Sequence, residues 1–428
     1  MRGLQRSWRC QALAGLLALA GAPAAGAQSN GIFADFSTAL GNFTVQLDYE
    51  RAPRAVAAFV GLATGAGAWA DAQGNVWTNK PFYDGSLFHR VVKDAASNGI
   101  AIHGGGCLYV SVDTNGVAST NFANAGYTMP ENVTNGLAHV AGAIAMANAG
   151  PNTDGSQFFV MATNWPAWDG SYTVFGHVTA GLDAVAAIAA VSVQGAGSRP
   201  VQDVVLSNVV VRRVGESAAA FDISAHGVPV VETGPMTAVA AGADLILKME
   251  MASQSKTSFR ESADLVEWDS SDLEYHTDPT TVWTTSVPRV VLGDTYYFHV
   301  SRVLFPEPIT SPATHRGLKF TFWWTNGTPA VKYEAWFATN YWDAGAFWVT
   351  MAGSNVSSGV IYPGDAWTRN PYAARLVFEE YSPVNSGKVH SYSLGFNPGQ
   401  PTNRFTGYWW PATNAALRQP ISGLFTVQ

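Results

Sequence analysis

Between Gly142 and Phe159 the sequence reads Gly-Ala-Ile-Ala-Met-Ala-Asn-Ala-Gly-Pro-Asn-Thr-Asp-Gly-Ser-Gln-Phe-Phe. An apolar run of small residues leads into a loop built from Ala-Gly-Pro-Asn-Thr-Asp-Gly. A second β-prone run, Gln157 to Met161, follows. Gly, Pro, Asn and Asp are turn formers, each for its own backbone reason. These residues alone specify strand, ordered loop, strand. Hydrophobic residues make up 47% of the chain and charged residues only 13%, which supports large cores and argues against disorder. A length of 428 residues predicts two or three domains. The net charge is −7, no basic run stands beyond the N-terminus, and nucleic-acid binding is therefore not expected.

Residues 1–27 read as a secretory signal peptide. Arg2, Arg6 and Arg9 form a basic start, Gln11 to Gly21 is a short apolar stretch, and Ala25-Gly26-Ala27 is a small-residue cleavage site. The stretch is too short for a membrane span, and no other apolar run approaches the ~18 residues one requires. Cleavage near Ala27 predicts a secreted or periplasmic protein. It also removes Cys10 and leaves Cys107 alone, so no intrachain disulfide is expected.

From Phe33 to Asp48 two alternating runs flank the turn Ala39-Leu40-Gly41-Asn42, a hairpin signal. Pro53 then opens a helix whose apolar face is Val56, Phe59 and Val60 and which ends near Gly65. Trp69 to Lys80 is polar and Gly-bearing, a loop. Gly181 to Ala190 predicts a second helix, and Pro200 to Val214 a last strand with alternating valines.

Two segments carry more than local structure. Met146 to Thr153 with Gly155 to Phe159 closely resembles the signature of cyclophilin-type peptidyl-prolyl isomerases. Pro81-Phe82-Tyr83-Asp84-Gly85-Ser86-Leu87-Phe88-His89-Arg90-Val91-Val92 resembles the family segment that carries its catalytic arginine. The resemblance spans roughly 180 residues, with departures. The family places Phe-x-x-Gln-Gly-Gly-Asp soon after the arginine; here Lys93 to Gly99 is inserted, and Ile100-Ala101-Ile102-His103-Gly104-Gly105-Gly106 follows. Ile100 thus stands at an aromatic pocket position, Ala101 at a methionine and His103 at the glutamine. Further on, Trp168 occupies a leucine position and Tyr172 a His/Tyr position.

The fold this implies is mainly β: an eight-stranded closed β-barrel capped by two helices over residues 30–214. The activity implied is isomerisation of X-Pro bonds. Arg90 would be the catalytic donor and Phe159 the floor of a proline pocket flanked by Ile100 and Ala101. Ala147, Asn148 and Gln157 would hold the peptide, with His103, Trp168 and Tyr172 completing the site. If His103 lies beside Arg90, a neutral imidazole would accept from the guanidinium, and kcat/KM would fall below about pH 6 as the ring protonates. The chemistry needs no cofactor, and the nine histidines show no metal-ligand spacing such as His-x-x-x-His. The partners implied are proline-containing polypeptides.

Beyond Gly215 the pattern changes. Glu216 to Ala220 reads as a linker, and short alternating runs separated by Gly, Pro and Asn predict an antiparallel β sandwich- or barrel-like region. Residues 215–305 read as linker and small β-module, and 306–428 as a Trp-rich β-domain whose partner the sequence does not name. Its tryptophans are expected chiefly in β-cores. Two rival readings follow: a proline-peptide binding module weakened in catalysis by its changed pocket positions, or a carbohydrate- or surface-binding protein acting through its C-terminal region.

Overall fold

The computed structural model describes residues 30–428 apart from 113–117, 263–268, 277–280, 289–295, 313–317, 325–331, 338–346, 353–354, 383–384 and 398–401. The expected leader, 1–27, lies outside the described residues. The chain divides into two compact units. One comprises the described residues up to Tyr127, with Asn132–Ala147 and Gly155–Pro306; the other comprises Thr128–Glu131, Asn148–Asp154 and Glu307–Gln428.

The first unit begins with the hairpin β1 (Gly31–Thr38) and β2 (Gly41–Leu47), then α1 (Pro53–Thr64) and the short pair β3 (Trp69–Ala70) and β4 (Val76–Trp77). Next come β5 (Ser86–Phe88), β6 (Arg90–Lys93) and β7 (Gly99–Gly104), and an arm made of β8 (Cys107–Val112) and β9 (Ala118–Ala123). Then follow β10 (Ala143–Met146), β11 (Phe158–Met161), β12 (Val174–Ala180), α2 (Leu182–Ala189), the small pair β13 (Val193–Gln194) and β14 (Arg199–Pro200), and β15 (Val204–Val214). Proline at the start of α1 is pre-set for helical φ. The helix stops at Gly65, whose φ of 74° is left-handed and where a Cβ would come within 2.8 Å of the Lys80 backbone. The stretch read as a loop, Trp69 to Lys80, contains the β3–β4 pair. Its turn is tied by Asp71, whose carboxylate accepts from the Gln73 and Asn75 N–H groups.

Nine strands form one sheet in the order β5-β15-β1-β2-β12-β10-β11-β7-β6. Its two ends, β5 and β6, are consecutive in the chain with only His89 between them. One strand, broken at His89, therefore pairs with β15 on one side and β7 on the other, and the sheet closes through it. Counted so, this is the eight-stranded barrel the sequence led us to expect. Its core is aromatic. Phe36 stacks on Phe43 with centroids 4.5 Å apart, and Phe59 of α1 meets Tyr83 at 5.0 Å, Phe175 at 5.5 Å and Phe158 at 5.7 Å. Such pairs contribute about 0.5–1.5 kcal/mol each beyond the area they bury. The segment read as an insertion, Lys93 to Gly99, is the tight link of the β6–β7 hairpin, where Asp94 accepts from the Ala96 and Asn98 N–H groups.

After β15 a single helical turn, α3 (Glu216–Ala219), stands where the sequence reads as a linker. Phe221 then packs on Tyr49 at 5.4 Å, and the Arg54 Nε–H donates to the His226 carbonyl at 3.4 Å. The strands β16 (Val230–Thr233), β17 (Met236–Ala241), β18 (Asp244–Met251), β19 (Ser255–Ser262), β20 (Asp269–His276), β21 (Thr281–Pro288) and β22 (Tyr297–Leu304) make two small sheets, β16-β22-β19-β20 and β17-β18-β21. Leu247, Met249, Met251, Phe259 and Val300 form their core.

In the second unit β23 (Lys319–Trp324), β24 (Lys332–Trp336), β25 (Phe347–Ala352), β26 (Asn355–Asn370), β27 (Ala373–Ser382), β28 (Asn385–Gly395), β29 (Asn403–Pro411) and β30 (Gln419–Val427) form a second closed barrel. Each strand is antiparallel to the next, and β30 returns to β23. Of the two forms expected, sandwich or barrel, this part is a barrel. Phe320, Phe322, Leu376, Tyr392, Leu394, Phe405 and Phe425 fill it. Of the tryptophans whose burial is described here, Trp409 packs against this core, in keeping with the expectation. Trp323, Trp409 and Trp410 are only half-buried, and Lys388 and Arg418 lie over the rings of Trp409 and Trp410. The same unit includes the Pro151-Asn152 turn of the motif loop. Asn152 is fully buried at φ 58°, and its amide donates to Asn397 Oδ1 at 3.0 Å and to the Tyr372 carbonyl at 3.3 Å.

Candidate active site

Strand register assembles the site. Arg90 on β6 stands opposite His103 on β7, His103 opposite Phe159 on β11, and Phe159 opposite Ala145 on β10. Directly opposed residues of antiparallel strands project from one face. Arg90, His103, Phe159 and Ala145 therefore form a row across the outer face of the barrel, while the alternate residues Ile102 and Phe158 face its core. Two residues along, Val92, Ala101 and Met161 make a second row on the same face.

Around Phe159 the outer face carries an apolar cluster. Ile100, Ala101, Ala147 and Phe159 are buried together, with Trp168 and Tyr172 half-buried against them. The Trp168 and Tyr172 rings meet Phe159 edge-on at 5.3 Å and 5.2 Å. Trp168 sits at the end of a 3-10 turn, Pro166–Trp168, so it faces Phe159 while Ala167 is exposed. Entry into β11 is pinned from three sides: the Ser156 hydroxyl donates to the Gly105 carbonyl, Tyr83 Oη donates to the Ser156 carbonyl, and Asn124 Oδ1 accepts from the Ser156 and Gln157 N–H groups.

At the other end of the row Arg90 is exposed, and its side chain makes no hydrogen bond or ion pair among the described residues. Beside it lie two imidazoles, His89 and His103, with centroids 4.8 Å apart. Phe122 of the β8–β9 arm stacks on His89 at 4.2 Å. The Gln157 Nε2–H donates to the Phe122 carbonyl at 3.0 Å, and the same carboxamide hydrogen-bonds both imidazoles. Burial, then His89 and the Arg90 charge, push His103 down to about 3; burial foremost pushes His89 down to about 4. Both rings are neutral at physiological pH. Two sequence expectations about His103 change. Its partner is Gln157 rather than Arg90, and its protonation belongs well below pH 6, because burial adds to the repulsion from Arg90.

The structure thus gathers Phe159, Ile100, Ala101, Ala147, Trp168 and Tyr172 into one cluster and sets Arg90, His103 and Gln157 along the adjoining row. Asn148 follows Ala147 in sequence but belongs to the second unit, where its Nδ2–H donates to Asp154 Oδ1 at 3.1 Å. Sequence reading missed Phe122, Trp165 and His139. Trp165 packs on Trp168, and His139 lies parallel to Phe159 at 5.8 Å. None of the three stands at a recognisable spacing from Arg90 or Phe159; only tertiary folding brings them in.

The family profile "Cyclophilin type peptidyl-prolyl cis-trans isomerase/CLD" matches residues 33–211. Peptidyl-prolyl cis-trans isomerase B of Streptomyces anulatus is 34% identical over 189 residues, covering 42% of this chain and 96% of that protein. The chain belongs to the cyclophilin-type peptidyl-prolyl cis-trans isomerases. Peptidyl-prolyl cis-trans isomerase CYP18-2 of Arabidopsis thaliana is 32% identical over 168 residues, 39% of this chain and 85% of that protein. A crystal structure of a cyclophilin-type isomerase of Cryptosporidium parvum covers 43% of this chain and 98% of that one at 20% identity and a TM-score of 0.33. The family match ends at 211, so the second barrel and the small sheets before it lie outside it.

Proposed function

We propose that this cyclophilin isomerises X-Pro bonds of extracytoplasmic polypeptides and assists their folding. Twisting an amide about its C–N bond costs about 18–20 kcal/mol because resonance is lost. The cis and trans ground states of X-Pro differ by only about 0.5–1 kcal/mol. No covalent bond to the enzyme is needed; the enzyme has to bind the twisted amide better than either planar form. Phe159, with Ile100, Ala101 and Trp168, takes the proline ring. Backbone groups at Ala147, with Gln157 and Tyr172, hold the flanking peptide. As the amide twists, the prolyl nitrogen regains its lone pair, and Arg90 donates to it only then. The observation that carries this reading is the row Arg90–His103–Phe159: an exposed guanidinium, unpaired among the described residues, on the same barrel face as a buried apolar floor two strands away. The extracytoplasmic setting rests on the leader read at Met1 to Ala27.

The test is an isomerase assay on Ala-Pro and Gly-Pro peptides with the mature chain and its Arg90→Ala variant. Turnover is expected to be nearly lost in the variant, with peptide affinity within a few-fold of the parent, because the planar ground state does not use the donor. Equal losses of affinity and turnover would make Arg90 a ground-state anchor. Peptide binding without turnover in the parent would favour a binding module, a reading supported by the engagement of Gln157 with Phe122 and the two histidines.

A further inference from the structure

One buried titratable group in the pocket has no part in this mechanism. His139 is 2% exposed, and its ring lies among three aromatic walls. It is near-parallel to Phe159 at 5.8 Å and edge-on to Tyr172 at 6.0 Å and Trp168 at 6.3 Å. Asp169 Oδ1 accepts from the His139 backbone N–H and lies 2.8 Å from Nδ1, and the His139 carbonyl accepts from the Trp165 N–H at 2.8 Å. Because a carboxylate faces Nδ1, a neutral ring carries its proton there. Nε2 is then a bare acceptor, buried with no partner among the described residues. A phenyl ring would fill the same space without an unsatisfied nitrogen, so the imidazole's presence calls for a reason.

We propose that His139, anchored by Asp169, is a positioning residue of the proline pocket: its neutral Nδ1–H ring fixes the plane of Phe159 and holds the 165–172 wall against it, and protonation of Nε2 loosens that wall and weakens peptide binding. The single side chain joins floor and wall, which come from separate elements. Protonation would create a buried N–H with no acceptor, between rings that the cation's hydration shell cannot enter. Of the titratable groups on the elements packed against the ring, Asp169 and the Tyr172 phenol face it; Phe159, Trp165 and Trp168 bear no charge. Burial holds His139 below its ordinary value and outweighs the attraction of Asp169, in keeping with a neutral ring at pH 7. The role rests on the isomerase reading, yet its effect falls on binding, which can be measured where no turnover is seen.

Two measurements on the full mature chain test it. Nitrogen-resolved NMR of the histidine rings should show His139 as the Nδ1–H tautomer at pH 7; a neutral Nε2–H ring would overturn the proposal. The KM of an Ala-Pro peptide, or its Kd by calorimetry, is then followed from pH 7.5 down to about 4.5. It should rise about threefold or more as His139 protonates, while kcat changes less than about twofold. His139→Phe should abolish the rise, and Asp169→Asn, at a partly exposed position, should move it to lower pH by removing the anion that favours imidazolium. An affinity independent of pH in the parent, or a rise that survives in His139→Phe, would sink the idea. If His139→Phe does not fold, the tautomer and the Asp169→Asn shift decide. Absence of turnover with the affinity pattern intact would remove the isomerase reading and leave the pocket role standing.

Discussion

At the scale of single residues, the site depends on a few side chains whose surroundings set what they do. Trp168 stands one position beyond exposed Ala167, and the short 3-10 turn is what aims its indole at Phe159. An edge-on aromatic pair is worth about 0.5–1.5 kcal/mol, so Trp168→Ala should raise KM roughly 2- to 13-fold with kcat little changed. An unchanged KM in steady-state assays would show that the indole only packs the turn. His103 behaves differently from a surface histidine. With its pKa pushed down to about 3, its contribution to kcat is lost only as pH falls toward 4 and below, and His103→Gln should leave the kcat profile between pH 5 and 8 unchanged. A step near pH 6 that vanishes in the variant would mean the ring is far better solvated. Arg90 and Phe159 stand out in the sequence because their flanking letters resemble the family's. The depth of His103 and the place of His139 were not legible there, because burial and ring stacking depend on strands far apart in the chain.

Elements tell a similar story one level up. Alternation, turn residues and the proline before α1 made most strands and both longer helices of the first barrel readable. The register that lines up Arg90, His103 and Phe159 was not readable, since a slip of one residue would turn every side chain to the other face. The break at His89, which turns nine strands into an eight-stranded barrel, also has no local signal. Nor does the sequence show that residues after Gly215 cover the barrel's helix. Phe221 on Tyr49, the His226 carbonyl on Arg54, and Arg260 Nη2 donating to the Ala72 carbonyl at 3.1 Å place the 215–306 segment in the same compact unit as the barrel. Burying a side chain such as Phe221 stabilises by about 1.5–3 kcal/mol. Residues 28–214 should therefore fold, but melt roughly 5 °C or more below residues 28–306. Equal midpoints by circular dichroism would show that the added strands contribute nothing to the barrel.

For the whole molecule, the second unit carries its own titrating group. Glu131 is buried, accepts from Arg404 through Oε1, and leaves Oε2 without a partner among the described residues. Burial outweighs the attraction of Arg404, and nearby Asp154 adds repulsion, so its carboxyl is pushed up to about 7. A carboxyl raised on folding favours the protonated native state: that stability is present below the unfolded value near 4.5 and is lost as pH rises through about 7. Denaturation midpoints should thus fall between pH 5 and 8 by the equivalent of ~3 kcal/mol or less, and Glu131→Gln should flatten that slope. A variant with the parent's slope would place the titrating group elsewhere. Closure through the strand broken at His89 has a consequence for synthesis. Ser86–Phe88 has no neighbour on its outer side until Val204–Leu206 has been made, so a nascent chain halted before Val204 holds Arg90 on an unclosed edge. Isomerase activity of ribosome-stalled chains would then switch on late and abruptly, once the last barrel strand clears the exit tunnel, even though Arg90 and Phe159 were translated long before.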